Sequence, residues 1–326
     1  MSMFRKYPVF TMVIGGILLF FFGFRLEPFI AHKEECDEGI EFINRDVICG
    51  EPDVIKKTGY IETRNDIIAL IESEKQTGAI ADAAVYFRDL KRGPVFGVDE
   101  LTVFAPASLL KLPLAFVYLS AAEDQPGVMS QKIDYVGTTT VSEQRVIPRE
   151  SARTGEEYTV ESLLRMMLSY SDNASYEVLE QFLQNSPGRT IIREEVFQEI
   201  GLIDPKDRIE ATVTVRGYAS LFRILYNASY LNVENSEKVL EWLANSEYRE
   251  GLVAGVPEGV KVSHKFGERL YANNVKELHD CGIIYFPQNP YLLCVMTRGM
   301  EWESLEKLTA EISRIVYTEV DSRRVE

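Results

Sequence analysis

The sequence predicts an α/β protein of the α+β type, in which an antiparallel sheet is flanked by N- and C-terminal helices and carries an inserted helical lobe. Strand-like segments occur near 81–98 and again at 260–297, and amphipathic helical segments lie outside them at 66–75 and 301–319. A long helical stretch separates the two groups of strands. Strands that are separated in this way form one sheet only if the helices between them fold as an insertion.

The composition is that of a globular protein. The chain has 326 residues, of which 46% are hydrophobic and 26% charged, so a large core is available and disorder is not expected. The formal net charge of -15 offers no basic surface to a phosphate backbone, so we expect no nucleic-acid partner. With 3 His and 4 Cys, and no C-x-x-C or H-x-x-x-H spacing, we expect no metal and no cofactor.

An uncharged apolar run from Tyr7 to Phe24 has about the length that a helix needs to cross a bilayer. The run is longer than the core of a usual signal peptide, and no small-residue cleavage site follows it. We therefore interpret residues 1–30 as a transmembrane anchor and not as a cleaved signal. Arg5 and Lys6 precede the run, so the positive-inside bias predicts a cytoplasmic N-terminus, a single pass and an extracytoplasmic main body at the cell membrane.

Residues 31–59 show no sustained period, and we interpret them as an extracytoplasmic stalk before the main domain, 60–326. This compartment permits disulfides. Cys36 and Cys49 flank part of the stalk, whereas Cys281 and Cys294 lie on two apolar runs joined by a Pro-Gln-Asn-Pro turn. The sequence favours these two local pairs, with buried free thiols as the alternative.

Periodicity places the elements of the main domain. A helix is predicted at 66–75, and alternation predicts strands at 81–90 and 95–98. The predicted helices of the lobe cover 107–122, 159–170, 173–184, 190–200, 215–231 and 236–245. Strand signals return at 260–266, 282–286 and 291–297, before a final helix at 301–319. Pro113 lies inside the first helix of the lobe, where a proline can kink the backbone.

Ser108 and Lys111 form a Ser-x-x-Lys pair at the predicted start of an apolar helix. Residues i and i+3 share a helix face, so the hydroxyl and the amine meet there. The N–H groups of a helix N-terminus stabilise an oxyanion, and a lysine removed from water loses basicity and can accept the serine proton. The spacing alone is weak evidence, because Ser304 and Lys307 repeat it on the final helix, where a solvated helix face is the simpler interpretation.

Two further motifs follow. A Ser-Asp-Asn motif at 171–173 stands between two predicted helices, where it suits a capped turn and also a site that passes a proton and holds a substrate amide. A Lys-Phe-Gly motif at 265–267 ends a predicted strand, on which the lysine supplies a cation and the glycine allows close approach of a substrate backbone. Taken alone, this strand is equally well an edge strand with a solvated lysine.

In this order, on a helix, a turn and a strand, Ser-x-x-Lys, Ser-Asp-Asn and Lys-x-Gly are the motif set of the penicillin-recognising serine enzymes. The chain resembles the class A β-lactamase-like serine hydrolases, which share a fold with D,D-peptidases and penicillin-binding proteins, from about residue 60 to 320. The approach to the third motif at 251–257 and the two runs within 280–299 are part of the resemblance.

The resemblance implies four catalytic residues. Ser108 is expected to be the acylated nucleophile and Lys111 its base. Ser171 is expected to relay a proton to the leaving group, and Lys265 to add positive potential.

The resemblance also implies a set of substrate-binding residues: Asn173, Phe266, Gly267 and Glu268. Asn173 is expected to clamp a substrate amide, and the backbone N–H groups of Ser108 and Glu268 to form the oxyanion hole. Phe266 departs from the family pattern, which usually has a Thr or Ser hydroxyl there for a substrate carboxylate. The ligand then either lacks that carboxylate or uses other cations, such as Lys265 and Arg269; a packing role for Phe266 is the alternative.

A second departure concerns the base that frees the acyl-enzyme. Class A β-lactamases usually carry Glu-x-x-Leu-Asn between the second and third motifs, and the stretch from Gly201 to Thr214 does not contain it. Asp204, Asp207 and Glu210 are the remaining candidates. Without a placed base, acylation stays possible while hydrolysis becomes slow, which favours a penicillin-binding peptidase.

The sequence therefore predicts a membrane-anchored serine hydrolase that acts on D-Ala-D-Ala-type amides and reacts with β-lactams. The expected partners are a small-molecule or peptidoglycan-peptide substrate and, through the N-terminal helix, the membrane. A true class A β-lactamase and a β-lactam or peptidoglycan sensor without turnover are the alternatives.

Overall fold

A five-stranded antiparallel sheet organises the chain, and the computed structural model describes residues 41–44, 59–91, 93–137, 144–185, 187–202 and 212–323. The strands of the sheet are β1 (Ile80–Asp89), β2 (Val95–Val98), β7 (Val262–Leu270), β8 (Lys276–Ile284) and β9 (Tyr291–Gly299). Their order is β2-β1-β9-β8-β7, so β7 forms an edge. Two short pairs stand apart: β3 (Val103–Phe104) with β6 (Val213–Thr214), and β4 (Lys132–Asp134) with β5 (Glu157–Thr159).

The helices divide between the two faces of the sheet. On one face lie α1 (Ile61–Gln76) and α8 (Trp302–Ser322), which share a core with the sheet through Ile67, Ile71, Leu308 and Ile312. The other helices form the lobe: α2 (Lys111–Asp124), α3 (Val160–Ser169), α4 (Asn173–Gln184), α5 (Pro187–Glu199), α6 (Val215–Tyr226) and α7 (Val233–Ala244). The inserted lobe and the flanking terminal helices confirm the predicted fold class.

The second core lies between the lobe and the opposite face of the sheet. Helix α2 is apolar on all sides, and the side chains of Leu112 and Phe116 are fully buried. A helix without a polar face must be surrounded by other elements, so α2 becomes the axis of the lobe. The first functional motif lies directly before this helix, on a 3₁₀ turn at Ala107–Leu110.

Pro113 does not kink the lobe's first helix. The α-helix begins at Lys111, so Pro113 falls in its first turn. Backbone N–H groups there have no partner inside the helix, and a proline in the first turn removes no hydrogen bond.

The strand predictions were wrong in their limits at β7 and β8. Strand β7 continues to Leu270, and β8 begins at Lys276, whereas the sequence favoured 260–266 and 282–286. The missed half of β8 carries Glu277, His279 and Asp280, all with no exposed surface. Charged residues predict a loop when their partners are unknown, but these three are buried in contact with other side chains.

Cys281 and Cys294 form a disulfide across β8 and β9, which confirms the predicted local pair. The two cysteines are directly opposite in the register of these strands. The other predicted pair, Cys36 with Cys49, lies outside the described residues.

The anchor predicted at 1–30 also lies outside the described residues, as does most of the predicted stalk. Within the described ranges, no helix has both the length and the apolar character needed to span a bilayer. Residues 41–44 of the predicted stalk pack on the domain: Phe42 and Ile43 are buried in the lobe core. The Glu237 carboxylate accepts hydrogen bonds from the backbone N–H groups of Glu41, Phe42 and Ile43 at 2.6–2.9 Å.

Candidate active site

A cavity of about 530 Å³ opens between the lobe and β7, and all three motifs line it. The residues that the motifs contribute to its wall are Ser108, Lys111, Ser171, Asn173 and Phe266. Lys265 lies beneath the wall, 1% exposed, and reaches the site through its ammonium group. The structure thus brings together side chains that are far apart in the sequence.

Ser108 lies on the 3₁₀ turn and not on the α-helix itself. Side chains at i and i+3 eclipse one another in a 3₁₀ turn, so the hydroxyl of Ser108 stands directly above the amine of Lys111. The two atoms, Oγ and Nζ, are 3.2 Å apart. Ala107, just before the serine, has a φ of 47°, a left-handed conformation that is costly for alanine and occurs most often at functional sites.

The contacts of Lys111 Nζ define its protonation chemistry. The amine donates to the carbonyl oxygen of Ser171 and to Oδ1 of Asn173, the latter at 2.6 Å. Both oxygens are pure acceptors. A neutral amine has two N–H donors and one lone pair, so these two bonds leave the lone pair for the hydroxyl proton of Ser108. The arrangement suits a base.

The Ser-Asp-Asn motif is both a helix cap and a wall of the site. The Asp172 carboxylate accepts from the backbone N–H groups of Ala174 and Ser175 at 3.2 and 2.8 Å, and so caps α4. It also accepts from Ser151 Oγ at 2.7 Å. Ser171, with a φ of 54°, turns its hydroxyl back toward the lysines. The cap therefore holds the strained turn on which Ser171 and Asn173 stand.

Lys265 extends the set of polar contacts that begins at Ser108 and Lys111. Its Nζ lies 2.8 Å from Ser171 Oγ, and Ser171 Oγ lies 3.2 Å from Lys111 Nζ. Side-chain contacts thus connect four residues one after another: Ser108, Lys111, Ser171 and Lys265. A proton can move between the two serines without crossing bulk water.

Gly267 packs closely on the turn that carries Ser108. A Cβ atom there would lie 3.0 Å from Leu109 Cγ and 3.1 Å from the carbonyl oxygen of Pro106. The absent side chain therefore makes room for the 3₁₀ turn of the protein itself. This close approach sets β7 against the turn that carries Ser108.

The backbone of β7 faces the cavity at Glu268. Lys265 Nζ donates to the carbonyl oxygen of Phe266 at 2.8 Å, so the backbone groups of Phe266 point to the free edge of β7. In an antiparallel strand every second residue points the same way, so the N–H of Glu268 also points to this edge. The Glu268 side chain lines the cavity and accepts from Arg145 Nε at 2.9 Å.

Phe266 is 4% exposed and stacks on Tyr248, with ring centroids 4.3 Å apart. Lys265 Nζ lies 4.5 Å from the centroid of the same ring. Phe266 therefore packs and also borders the cavity, where it offers no hydrogen-bond donor. Arg269, farther along β7, also lines the cavity and is a cation that a carboxylate can reach.

Burial lowers the pKa of both lysines. Burial, followed by the charge of Lys265, lowers the pKa of Lys111 well below its ordinary value. Burial lowers the pKa of Lys265 to about 7, against the opposing charges of Asp280 and Glu268. A neutral Lys111 at physiological pH is what a base for Ser108 requires.

Sequence reasoning missed Gln144. Its Nε2 donates to the carbonyl oxygen of Ser171 at 2.9 Å, and its Oε1 accepts from the backbone N–H of Asn173 at 3.0 Å. Both ends of one amide thus hold the second motif in place. Gln144 stands in a segment without periodicity, so no local signal marked it.

Sequence reasoning also missed two side chains of β8 that contact the segment just before the turn that carries Ser108. Glu277 Oε2 accepts from the backbone N–H of Ala105 at 3.0 Å, and His279 Nε2 lies 3.0 Å from the carbonyl oxygen of the same residue. Burial raises the pKa of Glu277, but hydrogen bonds from His279 and Arg298 outweigh it and lower the pKa to about 2. The spacing of Glu277 and His279 was the available signal, because residues two apart lie on the same face of a strand.

The other predicted candidates lie elsewhere. Asp204, Asp207 and Glu210 fall outside the described residues. Ser304 and Lys307 lie on α8 away from the cavity, as a solvated helix face requires. The carboxylates that the described residues contribute to the cavity wall are those of Glu177 and Glu268. In the described ranges, no group of three or more His, Cys, Asp or Glu residues could hold a metal ion.

This fold, with a serine and two buried lysines around one cavity, places the chain in the class of serine β-lactamase-like proteins. The chain belongs to the β-lactamase enzyme family, whose model matches residues 54–320. No curated protein matches the chain.

Solved structures with the same fold include PBP-A and several β-lactamases. PBP-A is 19% identical, with 83% of this chain and 100% of that chain covered and a TM-score of 0.65. A PBP-A variant has been solved as an acyl-enzyme complex with penicillin G. A β-lactamase from Sphaerobacter thermophilus is 19% identical over 80% of this chain and 98% of that one, with a TM-score of 0.67. A class A β-lactamase from Mycobacterium abscessus is 20% identical over 79% and 99%, with a TM-score of 0.64.

Proposed function

We propose that the protein is a serine acyl-transfer enzyme that forms an ester between Ser108 and D-Ala-D-Ala-type peptides of peptidoglycan, and that reacts with β-lactams in the same way. The observation that carries the proposal is the position of Lys111 Nζ. It is 3.2 Å from Ser108 Oγ, with its two N–H groups directed to carbonyl oxygens. Few structural roles require a buried lysine in that arrangement.

In the proposed reaction, Ser108 Oγ attacks the substrate carbonyl carbon while Lys111 Nζ takes the hydroxyl proton. The backbone N–H groups of Ser108 and Glu268 stabilise the oxyanion that forms. The intermediate collapses, the C–N bond breaks, and the proton passes from Lys111 through Ser171 Oγ to the leaving amine. Lys265 donates to Ser171 Oγ and favours this transfer. Water or an amine then displaces the acyl group and returns the serine.

The penicillin G acyl-enzyme of a PBP-A variant supports β-lactams as probes, since that protein shares this fold. The absence of Glu-x-x-Leu-Asn from the sequence favours slow release of the acyl group, as in a peptidase that β-lactams trap. One observation favours hydrolysis as a second candidate function: the Glu177 carboxylate lines the cavity from α4. Glu177 would then be the base that activates the water molecule for hydrolysis of the acyl-enzyme.

Intact-mass measurement over time, after penicillin G is added to the full chain, tests the proposal. We expect one covalent adduct per chain within minutes, persisting for hours because the sequence lacks the Glu-x-x-Leu-Asn motif. The Ser108→Ala variant should form none, and Ser304→Ala, which removes the serine of the second Ser-x-x-Lys pair, should behave like the wild type.

The outcomes separate the candidates. A persistent adduct together with cleavage of a D-Ala-D-Ala peptide supports the peptidase, and a persistent adduct without cleavage supports a sensor. Sustained penicillin turnover supports a β-lactamase, and Glu177→Gln should then prolong the adduct. A wild-type chain that forms no adduct and turns over no penicillin contradicts acyl transfer altogether.

We further propose that residues 1–30 anchor the protein in the cell membrane with the catalytic domain outside. The apolar run from Tyr7 to Phe24 supports this, with Arg5 and Lys6 on its cytoplasmic side. The full chain is expected to stay with membranes after an alkaline carbonate wash, and an added protease is expected to digest the domain in intact spheroplasts. Release by carbonate, or full protection of the domain, would contradict the anchor or its orientation.

A further inference from the structure

A second cavity, of about 500 Å³, lies on the lobe where the end of α3 meets the segment after α7. Its wall includes three arginines, Arg149, Arg165 and Arg249, together with Tyr170, Trp242 and Ser246. No residue lines both this cavity and the one around Ser108. We call it the arginine cavity, and the proposed acyl transfer does not use it.

The charge of the arginine cavity is opposite to that of the chain. The chain has a formal net charge of -15, yet three guanidinium groups converge here from separate parts of the sequence. Arg165 is paired with Glu150 at 2.6 Å. No carboxylate in the described ranges pairs with the guanidinium of Arg149 or Arg249. The acidic residue of the wall, Glu247, instead accepts from the backbone N–H of Arg149 at 3.1 Å.

Two further side chains of the wall are buried: Ser246 is 2% exposed and Trp242 is 8% exposed. A serine hydroxyl can donate a hydrogen bond, so the wall adds a neutral donor to the cationic ones. Arg149 and Arg249 are exposed, so a ligand can reach both guanidinium groups from solvent.

We propose that the arginine cavity binds a phosphate group, as the free anion or as a phosphate ester. Guanidinium groups present paired N–H donors that match phosphate oxygens, and bonds between charged partners of this kind are the stronger ones. The donors come from three different elements, and a tetrahedral oxyanion accepts from several directions at once. A carboxylate, whose two oxygens lie in one plane, would leave part of this donor set unused.

Tryptophan fluorescence provides a direct test, because Trp242 lines the cavity and the chain has only 2 Trp. In the Trp302→Phe background the remaining indole reports on the cavity. We expect a saturable fluorescence change when the full chain in detergent is titrated with inorganic phosphate, and none with chloride at equal ionic strength. Arg149→Ala and Arg249→Ala should each weaken binding about 10-fold or more.

Arg314→Ala is the matched control, since it removes an exposed arginine of α8 that pairs with Glu311 outside the cavity. It should leave the affinity unchanged. Tighter binding of glycerol 3-phosphate than of inorganic phosphate would identify an ester as the ligand, and the reverse order the free anion. Absence of saturation, an equal response to chloride, or full affinity in both cavity variants that still unfold cooperatively would overturn the proposal.

Discussion

Replacing Lys111 with Ala is expected to slow the acylation of Ser108 by penicillin about 10³-fold, the range in which a general base contributes. The amine is the group within reach of the Ser108 proton at 3.2 Å, and it is held there by two carbonyl oxygens. Burial and the charge of Lys265 lower the pKa of this amine, which favours the neutral form that can accept the proton. The second-order rate of labelling with a fluorescent penicillin measures the effect.

The rate of labelling should depend on pH through the protonation of Lys111. Protonation of Lys111 removes the lone pair, so the wild-type rate should fall as the pH is lowered, and the variant should lose this dependence. Lys307→Ala, the same change in the second Ser-x-x-Lys pair on α8, is the control and should label normally. Labelling of a folded Lys111→Ala chain at the wild-type rate would assign the base elsewhere.

Replacing Lys265 with Met is expected to stabilise the folded protein by about 2 kcal/mol at pH 7 while slowing acylation about 10²-fold. Lys265 is 1% exposed, and burial lowers its pKa to about 7 from an ordinary value of 10.5. Each unit of that difference is about 1.4 kcal/mol of free energy that the buried ammonium costs the fold. Met keeps the length of the side chain without the charge, and the lost hydrogen bonds to Ser171 and Phe266 reduce the gain.

The dependence on pH has a definite sign. Between pH 7 and 10.5 the unfolded chain holds a proton on Lys265 that the folded chain releases. The unfolded state binds more protons there, so the free energy of unfolding rises with pH across this window. Below pH 7 both states are protonated and the full cost of the buried charge is present. In the Lys265→Met variant, the free energy of unfolding should lack this contribution to its rise with pH.

Urea unfolding of the wild type and the variant at pH 7 and pH 10 measures both effects. The difference in stability between the two chains should shrink at the higher pH. Lys307→Met removes an exposed lysine of α8 and should change neither the stability nor the slope. A Lys265→Met chain that is less stable than the wild type at pH 7 would show that the ammonium contributes more through its hydrogen bonds than burial costs.

Much of the candidate site was predictable because its spacing is local. Ser108 and Lys111 are one turn apart, so any helical turn brings them together. Ser171 and Asn173 flank a residue that caps a helix, and the cap is visible in the sequence. The alternation of β1 likewise depends only on which side chains face the core.

Other parts of the site depend on partners that are distant in the sequence. The first half of β8 was left out of the predicted strand, since nothing local shows that Glu277 will meet Arg298 and the backbone of Ala105. Gln144 holds Ser171 and Asn173 from a segment without any pattern. The close approach of Gly267 to Leu109 and Pro106 was not predicted, because these residues are far apart in the sequence.

The sequence by itself determined the order of elements, the helical insertion in the sheet and the one-turn spacing of Ser108 and Lys111, because each follows from periodicity along a single segment. The tertiary structure alone decided that Lys265 reaches Ser171 Oγ at 2.8 Å, that both lysines are buried, and that three arginines surround a second cavity. Those contacts join residues from separate elements, and only the packing of the lobe against the edge of the sheet brings them within bonding distance.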